Sequence, residues 1–205
     1  MIAGWRAHIA RPAAASAVLV LALAATAPGA ASVRLEGKAL ATAEDQARAA
    51  LASLAEKTPT FNVGQAFTVT GANTRLSVLP ARYSPRTPAP LGNVYHCALA
   101  LLRADRPVEV VQTIGTGYTE SLGCTGLDAI GFYDLDGDGS FEIALLYSTL
   151  APPDRYLKTP VVVRAHGGSF AVDESLTAAL NAQGGITTLG ALRRAATKRG
   201  VTPSK

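Results

Sequence analysis

The chain has 205 residues, 48% of them hydrophobic and 17% charged, with 19 Lys and Arg against 15 Asp and Glu and a formal net charge of +4. That composition is globular and excludes a disordered chain. Arg6 and Arg11 stand in an expected leader, so the remainder carries 17 − 15 = +2, too little to signal a nucleic-acid partner.

Residues 1–31 read as a Sec-type signal peptide: a basic lead of Arg6, His8 and Arg11, an apolar core over residues 13–25, then small residues and a proline, with cleavage expected between Ala27 and Ser32. The core is short and alanine-rich for a membrane span, and a retained anchor is the second reading. The first cysteine is Cys97, so no lipobox cysteine waits at the cleavage point. The expectation is a periplasmic or secreted protein with no membrane span after cleavage, residues 32–205 forming one domain around one core.

From Leu40 to Lys57 the residues are helix formers, with Thr42 as N-cap and Thr58-Pro59 as the stop. Leu40, Ala47, Leu51 and Leu54 fall near one face, which predicts packing on a sheet. Residues 66–70 and 75–79 alternate as a hairpin does, around a Gly-Ala-Asn turn. Pro80 to Gly92, with four prolines, reads as a long irregular loop. Tyr83, Arg82 and Arg86 there form either a contact surface or part of a solvated connection.

Residues 94–102 and 108–114 predict a second strand pair. Cys97 and Cys124 are the two cysteines of the chain, and in an exported protein they are expected to form a disulfide closing a loop of 27 residues. A catalytic thiol in His96-Cys97 is the sharper alternative, but neighbours on a strand point to opposite faces. Gly115 to Cys124 lacks the order of a P-loop or of a nucleophile elbow and reads as a crossing loop.

The stretch Asp134-Leu135-Asp136-Gly137-Asp138-Gly139-Ser140-Phe141-Glu142 carries the chemistry. Three acids at alternate positions of a tightly curled backbone face one concave side, and a hard cation such as Ca²⁺ takes six to eight oxygens. Asp, Gly and Asp also suit an ordinary hairpin turn, the plainer alternative. Acids at positions one, three and five and glycine at six match the first half of an EF-hand loop. Position twelve, however, is Leu145, and the flanks are aromatic and β-branched, as strands are.

The motif, over about Ile130 to Ser148, resembles the FG-GAP or integrin-alpha type of calcium-binding repeat. The resemblance implies a calcium-loop hairpin at 129–148, with ligands from the side chains of Asp134, Asp136, Asp138 and Glu142 and the carbonyl of Ser140. Such repeats recur once per propeller blade, and one copy is present here.

A proline-containing loop over 151–160 precedes strands at 161–165 and 170–172 around Gly167-Gly168. Asp173 caps a helix from Glu174 to about Ala182, stopped by Gly184-Gly185. The last helix, Thr188 to Arg199, gathers Arg193, Arg194, Lys198 and Arg199 near its end, where cations suit the helix dipole or an anionic surface. The order predicts an α+β fold with a mainly antiparallel, meandering sheet of blade-like hairpins, an N-terminal helix and one or two C-terminal helices.

Two functions compete. One is a non-catalytic calcium-binding module held rigid by Ca²⁺ and a disulfide for an unknown protein or polysaccharide partner. The other is a secreted hydrolase of cell-wall or polysaccharide material using acids such as Asp128, Glu109 or Glu120, for which no spacing fixes a pair. His8, His96 and His166 are too few and scattered for a zinc enzyme.

Overall fold

The structure, a computed structural model, describes residues 30–71, 74–86 and 94–200. The signal-peptide reading falls outside the described residues except for its last two positions, as do Ala72 and Asn73 of the first turn and residues 87–93 of the proline-rich segment.

In chain order the elements are β1 (Ala31–Arg34), α1 (Gly37–Leu51), β2 (Thr60–Phe61), β3 (Phe67–Thr70), β4 (Arg75–Tyr83), β5 (His96–Leu102) and β6 (Glu109–Ile114). Then come β7 (Gly123–Tyr133), β8 (Glu142–Ala151), β9 (Arg155–His166), β10 (Ser169–Val172), α2 (Glu174–Gln183) and α3 (Leu189–Gly200). One sheet has six strands in the order β1-β3-β4-β5-β6 with β2 also on β4, and the other is the meander β10-β9-β8-β7. All pairings are antiparallel, and the fold is α+β as expected.

The strand period of two sorts side chains into layers. Leu99 and Leu101 of β5, Leu76 and Val78 of β4, and Ile143, Leu145, Val161 and Val163 of β8 and β9 meet between the sheets. The alternate residues face outward. Ala81, Ala98 and Ala100 lie under Ala43, Ala47 and Leu51 of α1, where small residues on both sides allow close approach. On the far side Ala144 and Val162 lie under Leu176, Leu180 and Leu192 of α2 and α3. The molecule is therefore helix, sheet, sheet, helices, with a core in each of three interfaces.

Several boundaries differ from expectation: β1 was not expected, and β7 reaches back to Gly123, well before the hairpin expected at 129–148. The first helix begins at Gly37 rather than behind a Thr42 cap and ends at Leu51; Leu54 and Ala55 continue as a turn whose N–H groups both donate to the Leu51 carbonyl. Strand β4 does not stop at Leu79 but runs through Pro80 to Tyr83. The Pro80 carbonyl accepts from the Asn62 N–H (2.9 Å), so the missing proline donor falls on the side where pairing passes from β3 to β2, opposite the Asn62 carbonyl, which accepts from the Gln65 N–H instead (3.0 Å). Strand β9 starts at Arg155, inside the segment read as a loop, because it pairs with β8 continuously from Ala151↔Arg155 to Ile143↔Val163.

Cys97 on β5 and Cys124 on β7 form a disulfide from one sheet to the other. His96, its neighbour, points to the opposite face, with its ring edge-on to Tyr83. No helix among the described residues is long and apolar enough to cross a membrane.

Candidate metal centre

The loop between β7 and β8 is held from below by its own apolar residues. Leu135 is buried against α2 and α3, and Phe141 is buried between the two sheets. With both anchors pointing inward, the polar residues between them are turned to the surface. Gly137 and Gly139 have φ of 81° and 85°, a region that side chains rarely enter, so the glycines are what permit the curl.

Backbone N–H groups orient the acids. Asp134 accepts from Gly137 N–H through Oδ1 (2.6 Å) and from Gly139 N–H through Oδ2 (3.1 Å). Asp136 Oδ1 accepts from Asp138 N–H (3.2 Å), and Asp138 Oδ1 accepts from Ser140 N–H (2.7 Å). The result is one ligand oxygen each from Asp134, Asp136 and Asp138, all within 4.8 Å of one another. Calcium–oxygen distances of about 2.3–2.6 Å allow two ligands of one ion to lie up to about 5 Å apart, so the trio fits a hard cation in both donor type and spacing.

Glu142 does not join that trio. It is buried at the start of β8, where Oε2 accepts from Leu135 N–H (2.7 Å). Burial pushes its carboxyl up to about 7; the Leu135 N–H and Arg164 act against this, while the nearby charges of Asp136 and Asp138 add to it. Ser140 contributes its N–H to the loop, as above.

Arg164 on β9 is a functional residue that the sequence reading missed. Its Nη1 lies 3.3 Å from Asp136, its Nη2 3.5 Å from Asp173, and its Nε 4.0 Å from Glu142 without a hydrogen bond. One guanidinium thus ties the loop to β8 and to the cap of α2, where Asp173 Oδ1 accepts from Leu176 N–H (3.0 Å). The signal was a lone charge in the apolar run Val161-Val162-Val163-Arg164-Ala165. Asp136, Glu142 and Asp173 share this cation, and no basic group among the described residues lies within 4.0 Å of Asp134 or Asp138, which leaves the loop's acids in excess.

The other acids weighed in the sequence have separate settings. Glu109 on β6 pairs with Arg103 (3.3 Å) and accepts from Phe170 N–H. Asp128 on β7 accepts from Ser148 and Lys158, and Glu120 is exposed beyond the crossing loop's 3-10 turn. Among the described residues, Asp134, Asp136 and Asp138 are the one group of three or more acidic, His or Cys residues so clustered. Arg193 lies over the Tyr133 ring (5.3 Å), on the side of the sheet that α3 covers. Comparison with protein-family models, curated proteins and solved structures finds no match for this chain.

Proposed function

We propose that this is an exported, non-catalytic calcium-binding module that presents a rigid double sheet to a protein or polysaccharide partner. The observation that carries the reading is the convergence of Asp134, Asp136 and Asp138 within 4.8 Å on a loop anchored in two cores. In the FG-GAP-like reading those three side chains hold the ion, with the Ser140 carbonyl and Glu142 as further ligands. The ion neutralises acids that a single arginine leaves in excess, and so fixes the β7–β8 turn. Export agrees with the disulfide between Cys97 and Cys124, which forms and persists in oxidising compartments.

Paired thermal melts of the oxidised protein, in chelator and in about 1 mM calcium, test this. For a site binding near 0.1 mM, linkage gives about 1.4 kcal/mol and a rise in Tm of roughly 3–6 °C. The rise is expected to be absent in Asp136→Asn and not reproduced by magnesium. Identical melts together with a calcium titration that shows no heat would overturn the reading.

A further inference from the structure

The two sheets meet differently along their two long edges. On one side Arg103 and Arg106 both donate to the Gly168 carbonyl (2.9 Å each) and close β6 against β10. On the other, β2 and the short 3-10 turn Val63–Gln65 face β7 across a cavity of about 300 Å³. Its lining includes Thr60, Asn62, Val63, Pro80, Arg82 and Leu127, and Cys97 of the disulfide also reaches it.

Arg82 is the charged group there. It lies directly across from Cys97 in the β4–β5 register, so its side chain starts on the inner face of the sheet. It is partly buried, donates from Nη1 to the Thr125 carbonyl (2.9 Å), and stacks on Tyr95 with its Cζ 4.4 Å from the ring centroid. No carboxylate among the described residues lies within 4.0 Å of it. A guanidinium has five N–H donors, and a half-desolvated cation without a counter-ion is costly.

The two amide side chains beside the cavity spend donors on β7, while Gln65 Oε1 is buried without a partner among the described residues. Leu127 and Asp128 carbonyls on the edge of β7 accept from Asn62 Nδ2 (3.4 Å) and Gln65 Nε2 (2.8 Å to Asp128). What the cavity offers a ligand is therefore the remaining Arg82 donors and their positive charge, beside the apolar surfaces of Val63, Pro80 and Leu127 and the acceptor oxygen of Asn62.

We propose that this cavity is a binding site for a carboxylate on a short apolar body, with Arg82 as the anchoring residue. Its volume is at the lower end for ligand pockets, on the order of ten water-sized volumes, which suits a small organic acid or the C-terminal carboxylate of an extended peptide. The inference does not depend on the calcium loop, which lies at the other end of β7.

The test is an amide-resolved NMR titration of the oxidised protein with hexanoate and with the tripeptide Ala-Ala-Val, each beside its neutral amide, in chelator and again in calcium. Both acids are expected to give saturable shifts at residues 60–64, 81–82 and 125–127, and the amides none. The tighter of the two acids identifies the source of the carboxylate. Arg82→Gln should weaken binding by about tenfold or more. Val63→Trp, at an exposed position on the rim, should block the cavity while leaving the melt unchanged, and it serves alone if Arg82→Gln fails to fold. Absence of saturable shifts with either acid up to roughly 10 mM, equal shifts with the neutral amides, or full binding by both variants would overturn the proposal.

Discussion

His96 stands at the start of β5 with its ring against Tyr83 and over Gly115, where an added Cβ would come within 2.4 Å of the ring. Neither ring nitrogen has a hydrogen-bond partner among the described residues, and burial lowers the imidazole's pKa from the ordinary 6.5. Because the folded state holds the neutral form, His96 supports stability above about pH 6.5 and that support is lost as pH falls below it. His96→Phe keeps a planar ring and removes both unpaired nitrogens, whose burial costs about 1–3 kcal/mol. Urea unfolding should show the variant's advantage growing between pH 8 and pH 5; a difference independent of pH would contradict this account. Arg164 supplies a second prediction at this scale. Arg164→Gln removes the cation that competes for Asp136, so calcium should bind about fivefold tighter or more. The same change should lower stability in chelator, because the buried Glu142 loses its opposite charge. Calorimetric titration and chelator melts of the one variant read both effects. Neither residue's role was legible in the sequence. His96 could be placed opposite Cys97 from strand alternation, but what a single side chain faces across a sheet depends on register, and no local pattern carries register.

At the scale of elements, the β7–β8 hairpin was the most legible part of the chain, because alternating acids and glycines admit few backbones other than a tight turn. The sequence did not show how the turn is held. Leu135 reads as an incidental apolar residue between two acids, yet it is fully buried in the core beneath α2 and α3. Leu135→Ala should cost about 2–5 kcal/mol, as truncations of fully buried leucines do. It should also weaken calcium binding, since ordering the loop then has to come from the ion alone. Denaturation in chelator measures the first effect and titration the second. A variant that lost stability but bound calcium as before would show that the acids are organised by their Asx-type hydrogen bonds without the anchor. Strand β4 was cut short at Pro80 for a related reason. Proline ends a strand wherever its N–H is needed, and only the change of neighbour from β3 to β2 removes that need. The cap of α2 was readable because Asp173 acts within three residues of itself.

At the scale of the whole molecule, the number of layers was present in the sequence in a form that hairpin-by-hairpin reading overlooks. In Cys97–Leu102 and Ile143–Tyr147 every residue is apolar, and such runs mark strands covered on both faces. One such strand in each sheet, with helices at both ends of the chain, implies two sheets back to back under helices. That arrangement makes the Cys97–Cys124 bond a link between layers, not between neighbours in one sheet. Closing 27 residues constrains the unfolded chain by about 3.5 kcal/mol in the chain-entropy model. Cys97→Ala with Cys124→Ala should therefore lower the unfolding free energy by about that amount and leave both helical layers intact. The sheets are joined across β6 and β10 by Arg103, Arg106 and Glu109 whether or not the disulfide is present, so the loss should be felt on the opposite side. Hydrogen exchange resolves the two edges. Amides of residues 60–64 and 123–127 should exchange faster in the double variant, while those of β6 and β10 keep their protection. Equal loosening of both edges would mean that the disulfide braces the whole sandwich, and that the polar closure at β6 and β10 depends on it.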